Sequence, residues 1–250
     1  MFKKHYKSLI GISLFIIILI IGRVYSESVS DTYKFKPLFH LNNKYNLQSF
    51  TYNNGIYYVG YDIGNNKGMI IAYNQNGHEI GRTSLLPTGH TAGLDYFNQK
   101  IYVANGGSKP SIIFIVNFEK SKIVRVINAS KYGHGALIAV KDKNVIILHT
   151  AIHKGQDEHI FSFIDNYGKR LKKFTLHGLG MAQGMDYKDG IIYFYSDNKI
   201  TLINEKGKVL KSILLNNFQG ESEGLTIVNG KLVIGFNHNN RLYVSEKNIH

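Results

Sequence analysis

The chain has no cysteine and no tryptophan, only three prolines, and 17 acidic residues against 30 lysines and arginines. Without cysteine there is no disulfide, thiolate metal ligand, cysteine nucleophile or lipid-modified cysteine anchor. So little proline, set among 25 glycines, describes a chain punctuated by turns, not by disordered linkers. The acid deficit leaves a formal charge of +13. Such an excess favours polyanionic neighbours such as an anionic cell-surface polymer or lipid headgroups. The lysines are scattered through turns and outer strands and form no stripe, so nucleic acid is not an expected partner. Several catalytic signatures are missing as well. There is no phosphate loop and no dinucleotide fingerprint, and "GESEG" at Gly220 to Gly224 has the G-x-S-x-G spacing but leads into the alternating strand pattern "LTIV" and not the helix that a nucleophile elbow requires.

What is present begins with a segment that stands apart. Lys3, Lys4 and Lys7 precede an almost wholly aliphatic run from Leu9 to Ile21, and Val24 and Ser26 follow in a small-x-small pattern. This matches a signal peptide or an uncleaved signal anchor over residues 1–26. Either form places the body outside the cytoplasm, secreted or anchored to the membrane by its N-terminus. That segment carries four positive residues and no acids, which leaves +9 for residues 27–250. With 44% apolar and 12% aromatic residues over 250 positions, the remainder can form a full core as one domain, expected to be monomeric.

Five stretches share a polar or Gly start, an alternating strand, a short polar turn and an aliphatic strand. They read "QSFTYNNGIYYVGY", "AGLDYFNQKIYVAN", "GALIAVKDKNVIILH", "QGMDYKDGIIYFYS" and "EGLTIVNGKLVIGF". Aligning Tyr52, Tyr96, Val140, Tyr187 and Ile227 gives spacings of 44, 44, 47 and 40 residues, the period of a four-stranded propeller blade. Two further strands follow in each of the first four units, with Asn76-Gly77, Tyr167-Gly168 and Lys206-Gly207 where hairpin turns are needed. The fifth unit ends one strand short, and "YKFKPLFHL" at Tyr33 to Leu41 is left over before the first. The sequence therefore predicts an all-β, five-bladed β-propeller closed by an N-terminal strand, which removes the open edge. A β-sandwich is the main competitor, and the regular period argues against it.

Propeller topology brings two loop sets to one end of the ring: those leading into each first strand and those between second and third strands. Six residues upstream of the aligned column stand Asn46, His90, His134, Met181 and Glu221; four upstream stand Gln48, Ala92, Ala136, Gln183 and Glu223. Offsets differing by two share a strand face, so the two columns lean together near the axis. Gly93, Gly184 and Gly224, three upstream, suit close packing of backbone. Glu223, His90 and His134 are candidate acid/base residues. Glu221, His90, His134 and Asn46 are candidate ligands for a divalent cation, zinc on the imidazoles or calcium on the oxygens. Gln48, Gln183, Asn105, His153, Asp157, Asn237 and His238 are candidate ligand-binding residues of the mouth. The longest loop places His149, His153, Asp157, Glu158 and His159 within eleven residues. A solvated connection and water-bonded strand ends are the plain alternatives for all of these. The expected function is binding of a small or polymeric ligand at the channel mouth, with a metal-dependent hydrolase as the alternative and catalysis itself left open.

At "GHTAGLDY", "AQGMDYKDGIIYF" and "ESEGLTIVNGKLVIGF" the chain resembles the gluconolactonase-like and calcium-dependent phosphotriesterase-like propellers. It is also similar to the five-bladed glutaminyl cyclotransferases, whose strand starts carry sequences like Glu223-Gly224-Leu225-Thr226. The first resemblance implies a channel-mouth cation that polarises a carbonyl and activates water, with Glu221 or Glu223 and Asn46 as its ligands. The second implies that Glu223 handles a proton during ring closure. Those cyclotransferases usually set a tryptophan beside the acid, which this chain lacks.

Overall fold

The computed structural model describes residues 33–151, 157–215, 218 and 220–249. The signal or anchor segment and His153 lie outside them. The described residues form five four-stranded antiparallel sheets. Blade 1 is β2 (Asn46–Asn53), β3 (Ile56–Gly64), β4 (Lys67–Tyr73) and β5 (Glu79–Arg82). Blade 2 is β6 (Gly93–Phe97), β7 (Lys100–Ala104), β8 (Ile112–Asn117) and β9 (Lys122–Asn128). Blade 3 is β10 (His134–Asp142), β11 (Val145–Ala151), β12 (Glu158–Asp165) and β13 (Arg170–His177). Blade 4 is β14 (Ala182–Lys188), β15 (Ile191–Ser196), β16 (Lys199–Asn204) and β17 (Val209–Leu214). Blade 5 is β18 (Ser222–Val228), β19 (Lys231–Phe236) and β20 (Arg241–Ser245), completed by β1 (Phe35–His40) from the other end of the chain.

The leftover N-terminal strand thus closes the ring. Phe35 to His40 runs antiparallel to Arg241 to Ser245, and Leu41 N–H donates to the Asn240 carbonyl at 2.7 Å. Asn43 then latches the closure to blade 1, donating to the hydroxyls of Tyr61 and Tyr73 at 2.8 Å each. Second and third strands are buried along most of their length because both faces meet neighbouring blades, whereas outer strands such as β13 are mostly solvated on one face. Apolar residues therefore pack in the seams: Tyr58 and Ile70 of blade 1, with Leu86 of the connection after it, meet Leu94, Ile101 and Val103 of blade 2, and Ile147 and Phe161 of blade 3 meet Met185 and Phe194 of blade 4. No helix among the described residues is long and apolar enough to cross a membrane.

Innermost strands touch where the sequence places glycine. A side chain at Gly184 would sit 2.7 Å from the Leu225 nitrogen, and one at Gly93 would sit 2.9 Å from the Ile138 nitrogen. Only a hydrogen lets the strands approach so closely. Two residues further on, the repeated "LDY" and "MDY" supply an aspartate that crosses the seam. Asp95 of blade 2 accepts from Val140 N–H of blade 3 at 2.5 Å and from the Thr51 hydroxyl of blade 1 at 3.3 Å. Asp186 of blade 4 accepts from Ile227 N–H at 2.7 Å and the Thr226 hydroxyl at 3.0 Å, both of blade 5. Each also accepts from the N–H of the tyrosine that follows it, at 2.7 and 2.6 Å. Burial raises the affinity of both for a proton, and Asp186 across the axis adds repulsion at Asp95.

Candidate functional site

The mouth of the ring holds a cavity of about 800 Å³. From the two columns its wall includes Gln48, His90, Ala92, His134, Met181, Gln183, Glu221 and Glu223. Gly106, Gly107, Ser108, Ala151 and Asp157, at the ends of the second loop set, complete that side. Both loop sets thus meet at one end, because each first strand runs inward from the mouth and each second strand returns to it.

The acid with the most altered environment is Glu223. It lies at the second residue of β18 and is 7% exposed. None of the described residues hydrogen-bonds its carboxyl. Burial, and then the charge of Glu221 beside it, push its pKa from 4.5 up to about 9. At neutral pH Glu223 is therefore a protonated acid that can donate. Gln48, across the seam in blade 1, leaves Oε1 buried with no partner among the described residues while its amide nitrogen donates to the Leu47 carbonyl at 3.0 Å. A buried acceptor without a donor is unusual in a native protein.

The raised pKa has a consequence for stability. Unfolded, Glu223 releases its proton near 4.5; folded, it holds it up to about 9. The folded state binds the extra proton in that window, so this contribution is full below the lower value and is lost as pH rises through the upper one. Thermal melts at about pH 5 and about pH 9 should show a smaller drop for Glu223→Gln than for the parent. An equal drop in both proteins would remove the assignment.

The other expected residues are held in varied ways. His90 Nδ1 pairs with Asp62 Oδ2 at 2.7 Å, and His134 Nδ1 lies 3.2 Å from the Ser108 carbonyl. Asn46 Oδ1 accepts from the Asn237 amide, tying blade 1 to blade 5. Asn105 donates to the Pro110 carbonyl at 2.9 Å and accepts from Ile112 N–H at 2.8 Å, so both ends of its amide brace its own loop. His238 is exposed, and neither it nor Asn46, Asn105 or Asn237 belongs to the cavity wall. Among the described residues, no three His, Asp or Glu side chains are grouped to hold one metal ion. Glu221, His90 and His134 therefore share the cavity wall without forming a ligand set.

Two wall residues were visible in the sequence only as loop histidines. His149 and His159 belong to β11 and β12, buried at 5% and 4% exposure. His149 Nε2 lies 2.9 Å from His159 Nδ1, and His159 Nε2 lies 3.2 Å from Asp157 Oδ1. Burial lowers both imidazole pKa values. At His149 the neighbouring His159 adds to the effect, and at His159 the Asp157 carboxylate opposes it. The signal that could have found them is cross-strand register: His149 stands opposite Phe161, two residues from His159.

No protein-family model matches the chain, and no curated relative does. Solved structures do match. The glutaminyl cyclase of Myxococcus xanthus superposes with a TM-score of 0.65 at 12% identity, over 88% of this chain and 97% of that one. The likeness is one of fold. The tail fiber of Staphylococcus aureus phage P68 gives a TM-score of 0.56 at 14% identity, over 85% of this chain and 52% of the fiber chain. Hydrazine synthase of Kuenenia stuttgartiensis gives 0.53 at 17% identity, over 79% and 64%. The propeller resemblance drawn from the blade motifs thus holds at the level of architecture, including the five-bladed form.

Proposed function

We propose that this chain is an exported propeller that binds a small hydrogen-bonding ligand at its channel mouth, with Glu223 presenting a proton to it. The observation that carries this is the buried Glu223 carboxyl, without a hydrogen-bond partner among the described residues, in the wall of a cavity of about 800 Å³. A neutral acid donates one hydrogen bond into the cavity, so the ligand it suits carries an acceptor group. The basic n-region and apolar run of residues 1–26 support export. The body's excess of positive charge suits a place at an anionic cell surface.

A second reading is favoured by the acidity of Glu223: ring closure of an N-terminal glutaminyl peptide with release of ammonia. An α-amino group titrates near 8, roughly one unit from Glu223, so a proton passes between them with little driving force either way. The Myxococcus xanthus glutaminyl cyclase has the same fold over nearly its whole length, and Glu223 stands at the strand start that resembles those enzymes.

One experiment addresses both readings. The purified protein is incubated with a short N-terminal glutaminyl peptide, while ammonia release and the melting temperature are followed. A raised melting temperature with product supports ring closure, and a raised melting temperature without product leaves binding alone. Unchanged peptide after prolonged incubation removes the ring-closure reading. No shift and no product would also remove this peptide as the ligand class.

A further inference from the structure

The hydrogen-bond chain Asp157–His159–His149 has a direction. Asp157 ends it with a carboxylate that can only accept, so His159 Nε2 carries a hydrogen toward it. With His159 neutral, its Nδ1 is then bare and must accept from His149 Nε2–H across 2.9 Å. That leaves the proton of His149 on Nε2 and its Nδ1 without one. Nδ1 has no hydrogen-bond partner among the described residues and is not among the fully buried polar atoms. His149 also lines the cavity. The ring is held in place by Phe161 and Phe194, at centroid distances of 5.2 and 4.8 Å. A carboxylate that fixes one imidazole, which fixes the tautomer of the next, is a standard way to orient a base.

We infer that His149 is a general base of the channel mouth, its Nδ1 kept open to the cavity by His159 and Asp157, and that it accepts the proton of a ligand amine while Glu223 acts as the acid. This rests on the ring-closure reading. In that reaction the terminal amine nitrogen forms a bond to the side-chain amide carbon and passes one proton to His149 Nδ1. The bond from that carbon to the amide nitrogen then breaks, and the departing nitrogen takes the Glu223 proton and leaves as ammonia. The proton on His149 returns to the Glu223 carboxylate, so both groups end as they began. The pairing has a physical basis in opposite environments: burial and Glu221 keep the acid protonated, and burial and His159 keep the base neutral. Asp157 and His159 are positioning residues. The charged and titratable groups around the relay are His177 and Lys199 near His159, and His90, His134, Glu221 and Glu223 in the cavity wall.

The test compares ring closure of a glutaminyl peptide by the parent, His149→Gln and Asp157→Ala across a pH series. His149→Gln should lower kcat by about 100-fold or more. Asp157→Ala removes an exposed side chain, and should lower kcat by roughly 10-fold with KM little changed while moving the acidic limb of the pH profile. A parent enzyme that makes no product overturns the ring-closure reading and this inference with it. An active parent with an equally active, folded His149→Gln overturns this inference alone. Where His149→Gln fails to fold, Asp157→Ala decides: parent-like kcat with an unmoved acidic limb overturns the relay.

Discussion

Glu223→Gln is expected to lower ring closure by about 10²- to 10⁴-fold in kcat while leaving KM nearly unchanged. The separation follows from the protonation state. A neutral carboxyl and a carboxamide have similar size, and each can donate a hydrogen bond to a ligand at the mouth, so binding survives the exchange. The amide cannot give up a proton to departing ammonia, so the chemical step does not survive it. Steady-state kinetics with ammonia release as the readout measures both parameters, and a binding measurement with the same peptide stands as the control. If Glu223→Gln turns over as fast as the parent, Glu223 is no acid, and its burial serves only the fold. If peptide binding is lost along with turnover, Glu223 holds the ligand in a way the amide cannot reproduce, and the proton-transfer role loses its support.

Asp186→Ala is expected to destabilise the propeller by about 3 kcal/mol, more than a typical surface change. The carboxylate accepts from Ile227 N–H and Thr226 of the next blade and from Tyr187 N–H of its own. Removing it strands two backbone donors beside the axis, where Gly184 has already brought blade 4 against blade 5. Denaturant unfolding measures the change, and Asp95→Ala in blade 2 should behave alike because it bridges to Val140 and Thr51. Asp186→Asn should cost less, since the amide oxygen keeps one backbone bond while the amide nitrogen faces a donor. A midpoint unchanged in Asp186→Ala would show that water in the channel fully replaces the carboxylate.

Much of the architecture was legible because a blade is a local object. Alternating strands, a Gly- or Asn-containing turn and a repeat near 44 residues are properties of short segments, and stacking five of them fixes the ring. The closing strand was legible by the same count, as one unit ended a strand short and Tyr33 to Leu41 stood unpaired. The column containing Glu223, Gln48 and Gln183 was legible from parity along the first strand of each unit. Asn105 and Asn237 show the limit of that reasoning: residue type marked them for a ligand, whereas their amides brace loops and the blade 5 to blade 1 seam. A short polar side chain at a strand end bonds whichever backbone or amide group the neighbouring loop presents, and one sequence does not say which.

By itself, then, the sequence determined an all-β, five-bladed ring and which residues line up at one end of it. Only the tertiary structure decided what those residues are chemically. Glu223 holds a proton because burial removes water from it and Glu221 repels its charge, while His149 stays neutral because it is buried against His159, whose orientation Asp157 fixes. Strand patterning depends on neighbours a few residues away, whereas the protonation of a side chain depends on the charge and solvent around it, which folding sets.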